Sequence, residues 1–166
     1  MGETPYFVEL DEALEICKKT PLQAVTERVS LDNSHGRILA VDLPSKVNDP
    51  PFDNSAMDGF AMRYEDTVDA PSTLKIIGTI QAAGQEDNIC VGKGESVRIM
   101  TGAPIPSGAD SILQVELTST ENNTVTLQQE SMKHFIRKKG ENLSKGEVAL
   151  EAGTYLTPSR VGLCAT

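Results

Sequence analysis

The stretch FDNSAMDGFAMR, residues 52–63, joins a cluster of turn-forming polar residues to an apolar run. Asp-Asn-Ser and Asp-Gly favour tight turns, because their side chains hydrogen-bond nearby backbone groups and glycine tolerates positive φ. One interpretation is therefore two turns before a strand. The other is a loop in which Asp53, Ser55 and Asp58 converge on a magnesium ion or a polar substrate, since carboxylate and hydroxyl oxygens suit a hard cation.

Short β-like runs dominate the chain from Val25 onward, and clusters of glycine, proline, asparagine and aspartate separate them. Helical spacing appears at the two ends. FVELDEALEICKKT (7–20) has the pattern of an amphipathic helix ended by Pro21, and TPSRVGLCAT (157–166) begins a second helix with Thr157 as N-cap. The sequence therefore predicts a mainly β fold with an N-terminal helix and the start of a C-terminal helix, with an α+β fold as the alternative. The β-like runs are VTERVSL, GRILAVDL, TLKIIGTI, ESVRIM, DSILQVEL and NTVTLQQE.

Two proline-rich or polar junctions, SKVNDPP (45–51) and RKKGENLSKGE (137–147), bracket a central block of the chain. An inserted domain is the simplest arrangement that produces such a pair of junctions. We expect an N-terminal helix over 1–21, an outer β unit formed by 22–47 and 144–166, and an inserted β domain over 48–143.

Composition narrows the class of protein. The chain has 166 residues, 39% of them hydrophobic, and a formal net charge of −9. Such an acidic chain is a poor partner for nucleic acid or an anionic membrane, because both require a basic surface. No apolar run is long enough to span a bilayer, and the N-terminus lacks the pattern of a signal peptide. We therefore expect a soluble cytoplasmic protein whose partners are small molecules or protein.

A second polar stretch, RIMTGAPIPSGAD (98–110), follows a strand-like run that ends at Thr101. Thr101 offers a hydroxyl and backbone N–H groups to an oxyanion, but a rigid connection between strands explains the same pattern. The basic triplet Arg137, Lys138 and Lys139 is typical of a solvated loop. His35 and His134 stand apart from each other and from any cysteine, so neither is predicted to bind metal.

Five motifs together resemble, in order and spacing, the N-terminal half of the MoeA family, the molybdopterin molybdenumtransferases related to the E domain of gephyrin. The resemblance runs from about Leu10 to the last residue. It implies the last step of molybdenum cofactor biosynthesis, in which molybdate is inserted into adenylated molybdopterin with magnesium present and AMP released. It also implies a homodimer whose cleft lies between a pterin-binding domain of one subunit and the N-terminal β domains of the other. The motifs are FDNSAMDGFAMR, RIMTGAPIPSGAD, QVE, RKKGEN and GTYLTPSRVGL.

The resemblance also assigns roles to residues. Asp58 and Thr101 match positions implicated in activity, and Asp58 is the position to hold magnesium. At Asn142 the chain departs from members that carry an aspartate, so an acid role at that position is not expected. The substrate-binding residues implied are Asp53, Asn54, Ser55, Arg137, Lys138, Lys139, Glu141 and Asn142.

The pterin-binding and C-terminal domains of the family do not follow in this sequence. We therefore expect the chain to be a fragment of a longer protein and to be inactive in molybdate insertion by itself. The alternative function is a non-catalytic scaffold or assembly module of the gephyrin kind. Molybdate and tungstate are not distinguished by the sequence, because the two oxyanions have the same charge and nearly the same size.

Overall fold

A six-stranded sheet forms the body of the protein in the computed structural model, which describes residues 7–20, 25–82 and 89–165. Two pairs of very short strands and a helix near each end complete the described architecture, which confirms the mainly β prediction. The helices are α1 (Leu10–Lys19) and α2 (Pro158–Cys164), and the strands are β1 (Leu43–Pro44), β2 (Asn54–Ser55), β3 (Gly59–Met62), β4 (Ser72–Ile80), β5 (Glu95–Ile99), β6 (Ser111–Gln114), β7 (Thr118–Glu121), β8 (Thr124–Leu127), β9 (Ile136–Arg137) and β10 (Val148–Leu150).

The strand order of the large sheet is β6-β3-β5-β4-β8-β7, in which β4 and β5 are parallel and the other neighbours antiparallel. Strand β3 lies between β5 and β6, so Gly59 pairs with both Ile99 and Gln114. A Cβ at Gly59 would lie 2.1 Å from the carbonyl oxygen of Leu113. Only glycine allows β6 to approach the start of β3 this closely.

Side chains on both faces of the large sheet are buried, because successive residues of a strand point to opposite sides. In β3, Phe60 and Met62 pack into one apolar cluster with Leu113 and Val125. Ala61 belongs to a second cluster on the other face. All three of these β3 residues are fully buried. The β3 strand that follows the SAMDG turn is therefore the centre of the core.

The two helices agree with the predicted ones. The Thr157 hydroxyl accepts a hydrogen bond from the Arg160 N–H at 3.4 Å, and Pro158 occupies the first turn of α2. Helix α1 has no buried residue, and Pro21, predicted to end it, lies outside the described residues. In the described part of the chain, neither helix has the length and apolar character that crossing a membrane requires.

Two of the predicted β-like runs are wrong, since GRILAVDL (36–43) contributes only an isolated bridge at Ile38 and the first residue of β1. VTERVSL (25–31) forms no strand, and the chain there is irregular until a short 3-10 turn at Leu31–Asn33. Val25 is 92% exposed. A β-like pattern produces a strand only where a partner strand satisfies its backbone groups, and none of the described strands pairs with this segment.

The two junction segments run side by side. The Asp49 N–H donates to the Leu143 carbonyl at 2.8 Å, and the Asn142 N–H donates to the Asp49 carbonyl at 2.9 Å. Further along, the Gly146 N–H donates to the Ser45 carbonyl at 2.8 Å, next to the pairing of β1 with β10. The six strands of the large sheet all lie between the two junctions. The division into an outer unit and an inserted domain stays a prediction.

Candidate functional site

Asp58 and Thr101 meet at one end of the large sheet. Asp58 immediately precedes β3, and Thr101 follows β5 by two residues. Because β3 and β5 are antiparallel, the start of one lies beside the end of the other. Asp58 Oδ1 accepts hydrogen bonds from the Thr101 backbone N–H and from its hydroxyl, both at 2.7 Å. The fold thus joins the two residues that the sequence analysis assigned to activity.

Both hydrogen bonds favour the charged form of Asp58. The Thr101 N–H, then the Thr101 hydroxyl and more weakly the charge of Arg98 lower the pKa of the Asp58 carboxyl below its ordinary value. Asp58 is exposed, and its second oxygen, Oδ2, has no hydrogen-bond partner among the described residues. The site therefore presents an ionised carboxylate with one oxygen free to accept a ligand.

Backbone hydrogen bonds join the loop that contains Asp58 to the loop that contains Thr101. The Ser55 N–H donates to the Ala103 carbonyl at 3.0 Å, and the Gly102 N–H donates back to the Ser55 carbonyl at 2.8 Å. Ser55 itself is 1% exposed, and its hydroxyl donates to the Met57 carbonyl at 2.5 Å. Ser55 thus holds the turn before Asp58, and its contact with substrate stays a prediction.

Asp53 forms a second cluster with the basic triplet. The short pairing of β2 with β9 sets Asn54 opposite Arg137 and so brings the two segments together. Asp53 Oδ2 accepts from Lys138 Nζ at 2.8 Å, and Oδ1 accepts from the Lys139 N–H at 2.8 Å. The Lys138 side chain and then the Lys139 N–H lower the pKa of Asp53. The charge of Lys138 is therefore offset by an aspartate.

Asn54 is the neighbour of both clusters and has an unusual environment. It is 7% exposed, and its side-chain oxygen has no hydrogen-bond partner among the described residues. Its backbone lies between Arg137 of β9 and a bridge to Pro104. Asn54 therefore connects the two loops through its backbone, while its buried side-chain oxygen stays without a partner among the described residues.

Glu141 and Asn142 both stabilise the junction. Glu141 Oε2 accepts from the Lys138 N–H at 2.8 Å, and Asn142 Nδ2 donates to Asp49 Oδ2 at 3.0 Å. An aspartate at position 142 would oppose Asp49 with like charge and no donor, so the amide suits this partner. The exposed side chains of Arg137 and Lys139 have no polar partner in the described ranges.

The geometry also includes Arg98, which the sequence analysis did not single out. Arg98 lies in β5, three residues before Thr101, and its charge acts on Asp58. An arginine in a strand-like run carries no local signal of function, because only the pairing of β5 with β3 places it near that aspartate.

Within the described ranges, no group of three or more His, Cys, Asp or Glu residues could hold a metal ion.

Comparison with known proteins identifies the family. The family model of the MoeA N-terminal region (domain I and II) matches residues 8–166 of this chain. The chain belongs to this family. The molybdopterin molybdenumtransferase of Haemophilus influenzae is 39% identical over 160 residues, covering 95% of this chain and 39% of that protein. The Bacillus subtilis molybdopterin molybdenumtransferase is 37% identical over 168 residues, covering 96% of this chain and 39% of that protein.

A solved structure shares the fold. The crystal structure of the molybdopterin biosynthesis moeA protein from Pyrococcus horikoshii OT3 matches with a TM-score of 0.78 and 34% identity, over 84% of this chain and 38% of that one. The chain therefore has the fold of a MoeA N-terminal region, as its motifs predicted. It spans about two fifths of the length of the relatives it matches.

Proposed function

We propose that the chain serves as the N-terminal region of a molybdopterin molybdenumtransferase, which inserts molybdate into adenylated molybdopterin in the last step of molybdenum cofactor biosynthesis. The observation that carries the proposal is the Asp58–Thr101 pair, in which two hydrogen bonds of 2.7 Å keep an exposed carboxylate ionised. The names of the relatives support the substrates, molybdopterin and molybdate. Tungstate fits the same chemistry.

Magnesium fits Asp58 on the chemistry of the donor. Magnesium commonly binds one or two carboxylates and completes its shell with water and substrate phosphate oxygens. The free Oδ2 of Asp58 is one such donor, and Thr101 holds the carboxylate by the other oxygen. When bound, the ion would neutralise charge on phosphate oxygens. Asp58 would hold it, and Thr101 would fix the orientation and charge of Asp58.

The basic triplet would supply positive charge for an anionic substrate. Arg137 and Lys139 have exposed side chains, whereas Lys138 already faces Asp53. We propose that Arg137 and Lys139 contact the substrate directly, and that the other members of this group hold the loop. The members that hold it, Asn54 through its backbone pairing alone, are Asp53, Asn54, Ser55, Lys138, Glu141 and Asn142.

The assembly proposed is the one that the resemblance implies. The chain would act in the cytoplasm within a homodimer, where its sheet end and a pterin-binding domain of the other subunit enclose the substrate. Asp58 and Thr101 are exposed, as residues at the wall of such a cleft must be.

The test is a chimera in which this chain replaces the matched N-terminal region of the Haemophilus influenzae relative. Molybdate-dependent release of AMP from adenylated molybdopterin is measured with the parental chimera and with an Asp58→Asn chimera. We expect turnover by the first and a large loss in the second. A folded chimera whose turnover is absent, or independent of Asp58, would favour a scaffold of the gephyrin kind instead.

A further inference from the structure

We propose that Arg98 binds a tetrahedral oxyanion beside Asp58, which makes it a substrate-binding residue of the same site. The inference rests on the proposed function and extends it to a residue that neither motif chemistry nor the relatives' names assign. Two sources of the oxyanion exist in that reaction, the phosphate of the adenylated pterin and molybdate. Both present the charged tetrahedral oxygens that a guanidinium recognises with paired N–H donors.

The strand register places Arg98 next to Asp58. Arg98 of β5 pairs with Phe60 of β3 on one side and with Thr79 of β4 on the other. Directly opposite residues share a face of the sheet, and so do residues two apart. Asp58 lies two residues before Phe60, so it is the diagonal neighbour of Arg98. Diagonal neighbours are separated by about 7–8 Å between their Cα atoms, within reach of an arginine side chain.

The backbone at Asp58 continues the pairing of the sheet. The Asp58 carbonyl accepts a hydrogen bond from the Val115 N–H at 3.0 Å, directly after the last pair of β3 with β6. This bond continues the β3–β6 pairing by one residue to Asp58, which lies in the bend before β3. The charge of Arg98 acts on the Asp58 carboxyl, which agrees with a position of both residues at the same end of the sheet.

This end of the face is open. The apolar cluster that covers the rest of this face begins with Phe60, directly opposite Arg98, and includes Leu113, and both of these residues are fully buried. Arg98, Thr79 and Thr101 are exposed. A hydrated ligand of a few atoms therefore has access to the guanidinium, to the Asp58 carboxylate and to two hydroxyl groups.

Arg98 has no direct polar partner for its side chain in the described ranges, although 24 acidic residues make the chain strongly anionic. Its charge acts on Asp58, yet neither an ion pair nor a hydrogen bond joins the two side chains. Arg37 pairs with Glu27, and Arg63 pairs with Glu65 at 2.8 Å, whereas Arg137 shares with Arg98 the lack of a side-chain hydrogen-bond or ion-pair partner in the described ranges. An arginine on an exposed strand is often just hydrated, but Arg98 faces an aspartate that also has a free oxygen.

The two free groups complement a particular kind of ligand. A guanidinium takes anionic oxygens, and the Oδ2 atom of Asp58 takes a cation or a hydrogen-bond donor. A phosphate that carries magnesium offers both, as does a protonated oxyanion. A bare dianion would gain from Arg98 but would be repelled by Asp58, so we expect magnesium to strengthen the binding of either oxyanion.

The experiment follows the Arg98 Nε–H resonance and the backbone amides of the 166-residue chain by ¹⁵N NMR. The chain is titrated at constant ionic strength with AMP in one series and with sodium molybdate in another, each with and without magnesium. Sodium chloride serves as the non-specific control. We expect a saturable shift of the Arg98 resonance, with coupled shifts at Thr101 and Gly102. The ligand that shifts the Arg98 resonance at the lower concentration, AMP or molybdate, identifies the source of the oxyanion.

Variants separate recognition by Arg98 from general charge effects. Arg98→Gln should weaken the apparent affinity by about tenfold or more, since a charge-assisted hydrogen bond is worth at least that ratio. Arg98→Lys should retain part of the affinity, because it keeps the charge and loses the paired donors. The matched control is Arg63→Gln, near the other end of β3, which should leave the affinity unchanged. Thermal unfolding confirms that each variant is folded.

Two outcomes overturn the inference. One is a shift at Arg98 no larger than the shift at Arg63 in both series, and the other is equal affinity in wild type and Arg98→Gln. These results are distinguishable from failure of the proposed function, which the chimera tests separately. An active chimera with an unresponsive Arg98 removes this inference alone, and a responsive Arg98 in an inactive chimera removes the proposed function alone.

Discussion

Thr101 donates both its backbone N–H and its hydroxyl to the same oxygen of Asp58, each at 2.7 Å. The two residues are 43 positions apart in the sequence, and the antiparallel pairing of β3 with β5 brings them together. Two donors on one oxygen orient the carboxylate and leave the other oxygen available. Asp58 is thereby held with one carboxylate oxygen free, which is the arrangement that the proposed magnesium-binding role requires.

Asp58→Asn in the chimera should lower the rate of molybdate insertion by about a hundredfold, the usual cost of losing one well-placed charged group. The amide oxygen can still accept from Thr101, so the fold and its melting temperature should change little. Assays of AMP release measure the rate, and thermal unfolding measures the melting temperature.

Asp110→Asn is the matched control for that substitution. Asp110 also accepts a backbone hydrogen bond, from the Tyr64 N–H at 2.7 Å, and faces Lys133 at 3.1 Å, but it lies near the other end of β3. The Asp110→Asn substitution should leave the turnover of the chimera unchanged. Equal rates in wild type and Asp58→Asn would mean that Asp58 acts as a turn former only.

Thr101→Val should raise the pKa of Asp58 part of the way to its ordinary value. The backbone N–H, which is the larger cause of the lowered pKa, remains in the variant, whereas the hydroxyl is lost. Thr101→Ser restores a hydroxyl and should return the pKa toward that of wild type. Carboxyl ¹³C NMR of the chain during an acid titration measures both changes.

The sign of the accompanying stability effect follows from linkage. Since the pKa of Asp58 is lower in the folded chain, its contribution to stability is present above the ordinary value of 3.8 and is lost as pH falls through the folded value. The free energies of unfolding of wild type and Thr101→Val should therefore approach each other as the pH falls. An Asp58 pKa that does not move in Thr101→Val would show that the hydroxyl bond is unimportant in solution.

Local sequence patterns predicted the helices and several strands, but they did not predict the site. The β-branched runs around β4 and β5 identify strands by themselves, and Thr157 with Pro158 identifies the start of α2. VTERVSL has the same local pattern but no partner strand, so the prediction failed there. The family motifs identified Asp58 and Thr101 separately, but the hydrogen bonds between them were not predicted, because spacing contains no information on strand register. Arg98 was missed for the same reason.

Lys138→Gln should raise the pKa of Asp53, because the Lys138 side chain is the largest cause of its lowering. The Lys139 N–H still donates at 2.8 Å, so the change should be partial. The Lys138 and Asp53 side chains are 69% and 42% exposed, which limits the stability contribution of the pair to about 1 kcal/mol or less.

The pH and salt dependence of this pair provide the measurement. The contribution of Asp53 should be present above pH 3.8, disappear as pH falls through its lowered pKa, and weaken in high salt. Urea unfolding of wild type and Lys138→Gln at neutral and acid pH measures the difference. Lys133→Gln, which removes the ion pair with Asp110, is the control that should leave the Asp53 titration unchanged.

The 166-residue chain alone should show no measurable molybdate insertion. It covers 39% of the length of the Haemophilus influenzae relative, so any substrate contacts made by the rest of that protein are missing from it. Purified chain is incubated with adenylated molybdopterin, molybdate and magnesium, with the chimera as positive control. Product formation at a rate near that of the chimera would contradict this expectation. It would also contradict the proposal that a separate pterin-binding domain completes the substrate site.

The last prediction concerns the inserted domain, residues 48–143. All members of both apolar clusters on the large sheet lie within that range, so excision leaves the core complete. The outer unit, in contrast, depends on β1 with β10 and on backbone bonds such as that between the Gly36 N–H and the Leu156 carbonyl. We therefore expect the excised block to fold alone and the flanks to unfold once separated.

Expression of residues 48–143 tests this directly by ¹H–¹⁵N NMR and thermal unfolding. Dispersed amide signals at the positions seen in the whole chain, with one cooperative transition, would establish an independent domain. The hydrogen bonds of Asp49 to Asn142 and Leu143 lie at its cut ends, so signals of those three residues should move while those of β3 and β5 stay in place. A collapsed spectrum would mean that the outer unit supports the sheet, and that the chain is one continuous β domain whose two junctions are ordinary loops.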